Sequence, residues 1–533
     1  MKTSPNHTDE NAANLQPPKK SFLRRLFSAR VILFALVCLV TLVLLVNAEE
    51  NWRAQRAWMK CRRALEARGE KLDLAAFVPT PVPTDQNFAM TPLLTNALAR
   101  GTDTNPVSLY FPGRVDSAPR TGAWRLGRAT DWAAWREYFG GNIDHAKSSD
   151  VAPADVSSRA NDSEAVAGVL QALSRYDAPI GELRVASRRP QAQFPVNWNE
   201  DPVSLLLPHL SLVKGLCQTL SFLACAELSA GKSNEALANM QVNYRLLSAL
   251  RDEPVIISHL VRIAMNEITA QSLWEGLAAH RWSESQLGLL EKELASLDFI
   301  ADEVQVLRGE RACNNAACDR LVGSRSAARK GVESLEASPV QKKAASMALL
   351  ILFPRWLIRH SQILINEYEQ DVIDTLQKAL RQPAYSPLDP ALTGSWQKRL
   401  ARTTPYNLLA RQLIPAMFKI TNKSCNAQTT VVMARIAVAL ERHRLANGNY
   451  PEKLDALVPR FLAKTPLDVF DGKPLRYRLN GDGTFILYSI GVNQTDDGGK
   501  VVLRKGGGLN LEEGDWVWSY SAPSTPSNPS QDR

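Results

Sequence analysis

No catalytic signature can be named from this sequence. It contains no Ser-His-Asp order, no HExxH pair and no G-x-S-x-G elbow. No basic run is interleaved with aromatics, so the formal charge of +9 does not point to a nucleic-acid site. Cysteine does not form a framework either: the seven residues are odd in number and scattered. Cys38 lies in an apolar run, and Cys61, Cys217, Cys225 and Cys425 stand singly. Only Cys313 and Cys318, in RACNNAACDR, look paired. A zinc site would want two further ligands nearby, and none is there. A disulfide would need an oxidising compartment and a helix break at Asn314-Asn315; ordinary packing thiols are the alternative. Long hydrophobic runs are also missing, with one exception. The stretch 347–358, MALLILFPRWLI, is too short to span a bilayer and is interrupted by Pro354 and Arg355, so a buried helix is expected.

The exception is 31–48, VILFALVCLVTLVLLVNA, a run without charge that begins after Arg30 and stops at Glu49 and Glu50. About 18 helical residues suffice to cross a bilayer core of roughly 30 Å. Lys19, Lys20, Arg24, Arg25 and Arg30 crowd its N-terminal flank, but Arg53, Arg56, Lys60, Arg62 and Arg63 follow on the other side. The short N-terminal tail ahead of a long domain favours an N-terminus inside and a body outside the inner membrane, that is, periplasmic. Cleavage after Val46-Asn47-Ala48 is the competing reading, opposed by an apolar run longer than the ~7–15 residues of a signal-peptide core.

The composition, 45% hydrophobic and 22% charged, is that of globular protein, and 533 residues allow two or three domains. Residues 1–30 read as a disordered tail and basic flank. Ala54, Ala57, Trp58, Cys61, Ala64 and Leu65 recur at helical steps, which predicts a stalk helix over 49–68 ended by Gly69. Pro79, Pro81 and Pro83 then enforce an extended link in a mixed region to about 160. Helical pattern fills 161–381, with short connections that argue for a bundle or a solenoid-like body. Within it, Ser233 and the Ser283–Gln286 capping box open helices. AELSAGKSNEAL resembles the middle of a tetratricopeptide repeat, yet no period near 34 residues follows. A linker is expected over 382–423, a C-terminal unit over 424–520 and a disordered tail over 521–533. The expected fold class is α+β, mostly α.

The C-terminal unit reads as a helix over 425–448, a second short helix in EKLDALVPRFL, and strands LRYRL, FILYSIG and DWVWSY, with a hairpin turn at 480–483. The run ARIAVALERHRLANGNYPEKLDALVPRFLAKTPLDVFDGKPLRYRLNGDGTFILYSIG resembles the globular head of the type II secretion major pseudopilins. The elements that match are the helix ending in NGNYP, DALVP, PLD…GKPLRY and LYSIG before an acidic glycine-rich loop, over about 434–499. The chain as a whole also resembles uncharacterised membrane-anchored bacterial envelope proteins. The head resemblance implies calcium binding in GVNQTDDGGK, with Asp496 and Asp497 as ligands and Asp515 as a third. A flexible acidic loop suits calcium's six to eight oxygens, although Asn493 and Gln494 stand where the family has Asp-Gly. A solvated turn bearing carboxylates is the alternative. A pseudopilin's hydrophobic helix leads straight into its head, behind a prepilin-peptidase site. Here the apolar run lies far upstream and no such site is seen, so polymerisation is not expected.

Two glycine motifs do not make nucleotide loops. GKS at 231–233 has Ala226 where a phosphate loop needs its first glycine, and RKGGGLN at 504–510 lacks a strand-to-helix setting. His259, Arg262 and Asn266, with Glu267 beside them, form a polar stripe on one helix that a groove could use or that could simply face solvent or a neighbouring helix. The expected function is a single-pass envelope protein with a binding or scaffolding role, with membrane and envelope or secretion proteins as partners. An envelope hydrolase with an unfamiliar site in the helical body is the alternative.

Overall fold

The computed structural model describes residues 29–100, 122–139, 162–200, 205–323, 355–382, 385–505 and 508–520. The expected tails, the apolar stretch 347–353 and most of the mixed region 101–160 lie outside them. The described chain is mostly helical, with a small antiparallel sheet at its C-terminal end.

Helix α1 (Ala29–Ala67) runs without a break from the apolar stretch into the stalk. Side chains from 31 to 46 are exposed, and the helix is long and apolar enough to cross a membrane by length and composition. Past Glu49 the environment changes: Ala54, Trp58 and Leu65 are buried. They pack against α11 (Arg355–Arg381). The Asn51 side chain accepts from the Trp356 backbone N–H at 2.8 Å, and Arg359 donates to Gln55 at 2.9 Å. Just beyond the helix, the nearly buried Glu70 carboxylate receives Arg308 at 2.9 Å and also Arg311. Both guanidiniums outweigh the burial that would raise it, and hold this carboxyl below its usual range.

Between stalk and bundle lie α2 (Pro92–Arg100), α3 (Trp132–Phe139), α4 (Asp162–Leu173) and α5 (Asp177–Ala186). Helices α6 (His209–Ser229) and α7 (Ser233–Ala249) form a hairpin. The turn between them is the GKS segment, where Gly231 has φ +78°, a conformation that favours glycine. Ser233 does not cap α7; its hydroxyl instead accepts from Gln286. The Ser283–Gln286 capping box does open α9 (Glu284–Ala295). Helix α8 (Ile256–Ala278) lies on α6, and its Gly276 leaves room for Trp282. A Cβ there would sit 2.1 Å from the indole nitrogen.

Helix α10 (Phe299–Gly323) is unbroken at Asn314-Asn315, and all cysteines are free, so Cys313 and Cys318 do not meet. Asn315 is held in the helix interface by Asn366 and Gln362 of α11, at 2.8 and 3.0 Å. After α12 (Pro390–Ala401) comes α13 (Ala410–Asn447), which packs on α8, α9, α10 and α11. The expected linker is therefore largely helical, and this helix begins fifteen residues before Cys425. Pro415 within it is outweighed by burial of Ile414, Met417 and Ile420, spaced at three-residue steps.

The second short helix of the C-terminal unit is reduced to a 3₁₀ turn, Leu454–Leu457, because Pro459 cannot continue it. Strands β1 (Arg476–Leu479), β2 (Phe485–Ser489) and β5 (Trp516–Ser519) form an antiparallel sheet with β2 central. A separate antiparallel pair joins β3 (Val501–Leu503) to β4 (Leu509–Gly514). Phe485 and Leu487 of β2 and Trp518 of β5 belong to the same hydrophobic cluster as α6, α7 and α8. Trp274 of α8 also donates to the Ser519 carbonyl at 3.0 Å.

Sheet and helices therefore share one core. Trp518→Ala should cost about 3–5 kcal/mol and reduce hydrogen-exchange protection in α8 as well as in β2. Loss confined to the strands would contradict a shared core.

Candidate functional site

The described surface holds a groove of about 650 Å³ between the start of α8, the middle of α10 and the first half of α13. Apolar side chains dominate it, among them Leu260, Leu413, Met417 and Ile420, while Lys419 and Lys423 stand at its edge. The lysines project outward because α13 buries its other face on α10 and α11. The groove's polar groups are already committed or inert. Glu310 accepts the Ile256 backbone N–H at 2.9 Å, and burial raises its pKa. Burial also pushes the Cys313 thiol up to about 12, which leaves it without the thiolate that nucleophilic attack needs. The arrangement suits an apolar ligand with an acidic end.

The stripe singled out in the sequence lies elsewhere. His259, Arg262 and Asn266 are buried between helices, and none of them lines this groove. The Arg262 guanidinium donates to Asp302 at 2.9 Å and to the Leu247 carbonyl at 3.0 Å. Glu267 leaves the stripe to receive Arg125 at 3.1 Å, and Arg125 also reaches Thr430 at 2.6 Å. His259 Nε2 and the Ser424 hydroxyl are 2.9 Å apart. That pair is not a relay. The acid beside it, Glu303, is bonded through Thr421 at 2.6 Å and does not orient the imidazole. Burial together with Arg262 draws the His259 pKa down to about 3, so the ring is neutral at physiological pH.

The acidic loop carries its carboxylates on separate partners. Asp496 receives the Tyr488 hydroxyl at 3.2 Å and faces Arg476 at 3.5 Å. Asp497 receives the Asn493 amide at 3.1 Å, and the buried Asp515 receives the Gly499 N–H at 2.6 Å. Among the described residues, no group of three or more His, Cys, Asp or Glu side chains is arranged to hold a metal ion.

Two polar centres were not singled out in sequence because each depends on a partner far away in the chain. One is Arg125 with Glu267 and Thr430. The other is Glu441 of α13, which is buried and receives the Tyr450 hydroxyl at 2.9 Å, with His280 at 2.9 Å and Arg444 at 2.7 Å. Burial opposes its charge, but Arg444 and His280 prevail and hold the carboxyl at about 2. It joins the NGNYP turn to the end of α8. A second buried acid, Asp468, ties the loop before β1 to β2: it accepts from Ser489 at 2.8 Å and from the Ile490 N–H at 3.1 Å.

No family profile, no curated protein and no solved structure matches the chain.

Burial raises the Glu303 carboxyl from 4.5 to about 7, against the bond from Thr421. Between those values the native state keeps a proton that the unfolded chain has released. This group's contribution to stability therefore falls as pH rises through the window. Glu303→Gln removes that loss. Thermal melts should show the variant gaining on the native protein from pH 5 to pH 8, by up to about 3 kcal/mol. A gap that stays constant with pH would contradict the assignment.

Proposed function

We propose that this is a single-pass envelope protein of the inner membrane, with a cytoplasmic N-terminus and a periplasmic body that binds or scaffolds. One observation carries the reading: α1 is unbroken from the apolar run into a stalk that is bonded to α11 through Asn51 and Gln55, and just past its end to α10 through Glu70. A span joined this way holds the body at a fixed place beside the bilayer, where a flexible linker would leave it free. The apolar groove with lysines at its edge supports binding as the body's role. The hydrolase alternative has less behind it, since the polar stripe is used for helix packing and Cys313 is held as a thiol. The likeness of the C-terminal unit to pseudopilin heads makes a secretion component the first partner to look for, although fold likeness does not fix function.

The test combines extraction and protease access. The full chain should stay in the pellet after alkaline carbonate. In spheroplasts, added protease should degrade the body while an N-terminal tag survives. Release by carbonate would contradict the anchor, and a protected body would contradict the orientation.

A further inference from the structure

We infer that the segment 402–413, which runs from the end of α12 into the first turn of α13, is a second membrane contact that lies on an anionic lipid surface beside the span. The inference rests on the anchor reading above.

The first support is level. Asn51 lies three residues past the last residue of the apolar run, or about 5 Å along the helix at ~1.5 Å per residue. It is bonded back to Asn47 at 3.2 Å and across to the Trp356 N–H at 2.8 Å, so the start of α11 sits where the apolar run ends. The Tyr406 ring packs on Trp356, with centroids 5.3 Å apart, and edge-on to His360 at 4.8 Å. Tyr406 is thereby placed at the depth where a bilayer's headgroups begin. Trp52, exposed on α1, is at the same level. Tyr and Trp concentrate at that depth because one end of each ring is apolar and the other is wet.

The second support is the surface itself. Tyr406, Leu408, Leu409 and Leu413 are 43%, 42%, 37% and 52% exposed. They are not on a loose loop. The buried Asn407 accepts the Thr404 N–H at 2.9 Å and donates to the Arg402 carbonyl at 2.9 Å, which fixes the turn that turns its neighbours outward. The turn exposes Leu408 and Leu409, and the first turn of α13 adds Leu413, a local grouping of the kind that marks an interaction surface.

The third support is charge. From residue 391 to 440 the chain has Lys398, Arg399, Arg402, Arg411, Lys419, Lys423 and Arg435, and no Asp or Glu at all. Arg399 and Arg435 are paired with Glu367 and Glu291. Lys398, Arg402, Arg411, Lys419 and Lys423 are exposed, with Arg402 and Arg411 flanking Leu408 and Leu409 in the chain. Apolar residues rimmed by cations, at headgroup depth, fit an anionic phospholipid surface. This contact with α1 as a second point would prevent the body from swinging about the span.

The experiment places the full chain in nanodiscs containing a phosphatidylglycerol with a diazirine near its glycerol, and maps photolabel by mass spectrometry. Label in both 31–48 and 402–413 is the expected result. Leu408→Ser with Leu409→Ser and Leu413→Ser should then reduce label in 402–413 by about tenfold, with the span unchanged. Because that variant could disturb packing, Arg402→Glu with Arg411→Glu is a second one. It should lose label in anionic discs and keep it in discs whose only anionic lipid is a trace of the probe. Label in the span alone overturns the second contact and leaves the anchor standing. Label in 402–413 alone sinks the anchor and keeps a lipid-binding surface, and label in neither sinks both.

Discussion

Burial of one helix through two cores is the constraint on which the rest of this structure depends. The first half of α13, from Ala410 to Cys425, packs into a cluster with α10, α11, α12 and Trp516. The second half, from Ala427 to Leu440, packs into the larger cluster with α6, α7, α8 and the central sheet. A helix in this position cannot slide or tilt without opening apolar surface on both sides, at roughly 25 cal/mol per Å². Beyond its C-terminal end, Glu441 of α13 holds Tyr450 in the turn that leads on to the sheet; the segment before its N-terminal end fixes its own turn through Asn407.

The same helix connects the two surfaces of functional interest. Its outward face borders the apolar groove, with Lys419 and Lys423, and its first turn carries Arg411 and Leu413, both exposed. The stalk completes the arrangement from the other side, because α1 is bonded to α11 and α11 to α13. The body is thus joined rigidly to a helix that is long and apolar enough to cross a bilayer.

The apolar helix, the helical body and the three strands of the central sheet were legible in the sequence because each is a local periodicity. A hydrophobic step of three and four, or an alternation of two, needs no knowledge of partners. The start of α13 was not legible: Pro415 argues against a helix, and only the contact of Ile414, Met417 and Ile420 with distant helices overrides it. The meaning of the His259–Arg262 stripe was hidden for the same reason, since Asp302 and Ser424 lie on other helices. The segment 402–413 shows the limit most clearly. Its leucines and arginines look like an ordinary connection in sequence, and only the packing of Tyr406 on Trp356, which is bonded to Asn51, brings the turn near the end of the apolar run.

The most direct measurement is an experimental map of the full chain in a lipid nanodisc, read for the height of the Trp356 and Tyr406 rings relative to the bilayer. The account places both rings within about one helical turn, ~5 Å, of the headgroup layer. Rings standing three or more turns above the lipid, or a body tilted so that 402–413 faces bulk water, would contradict it.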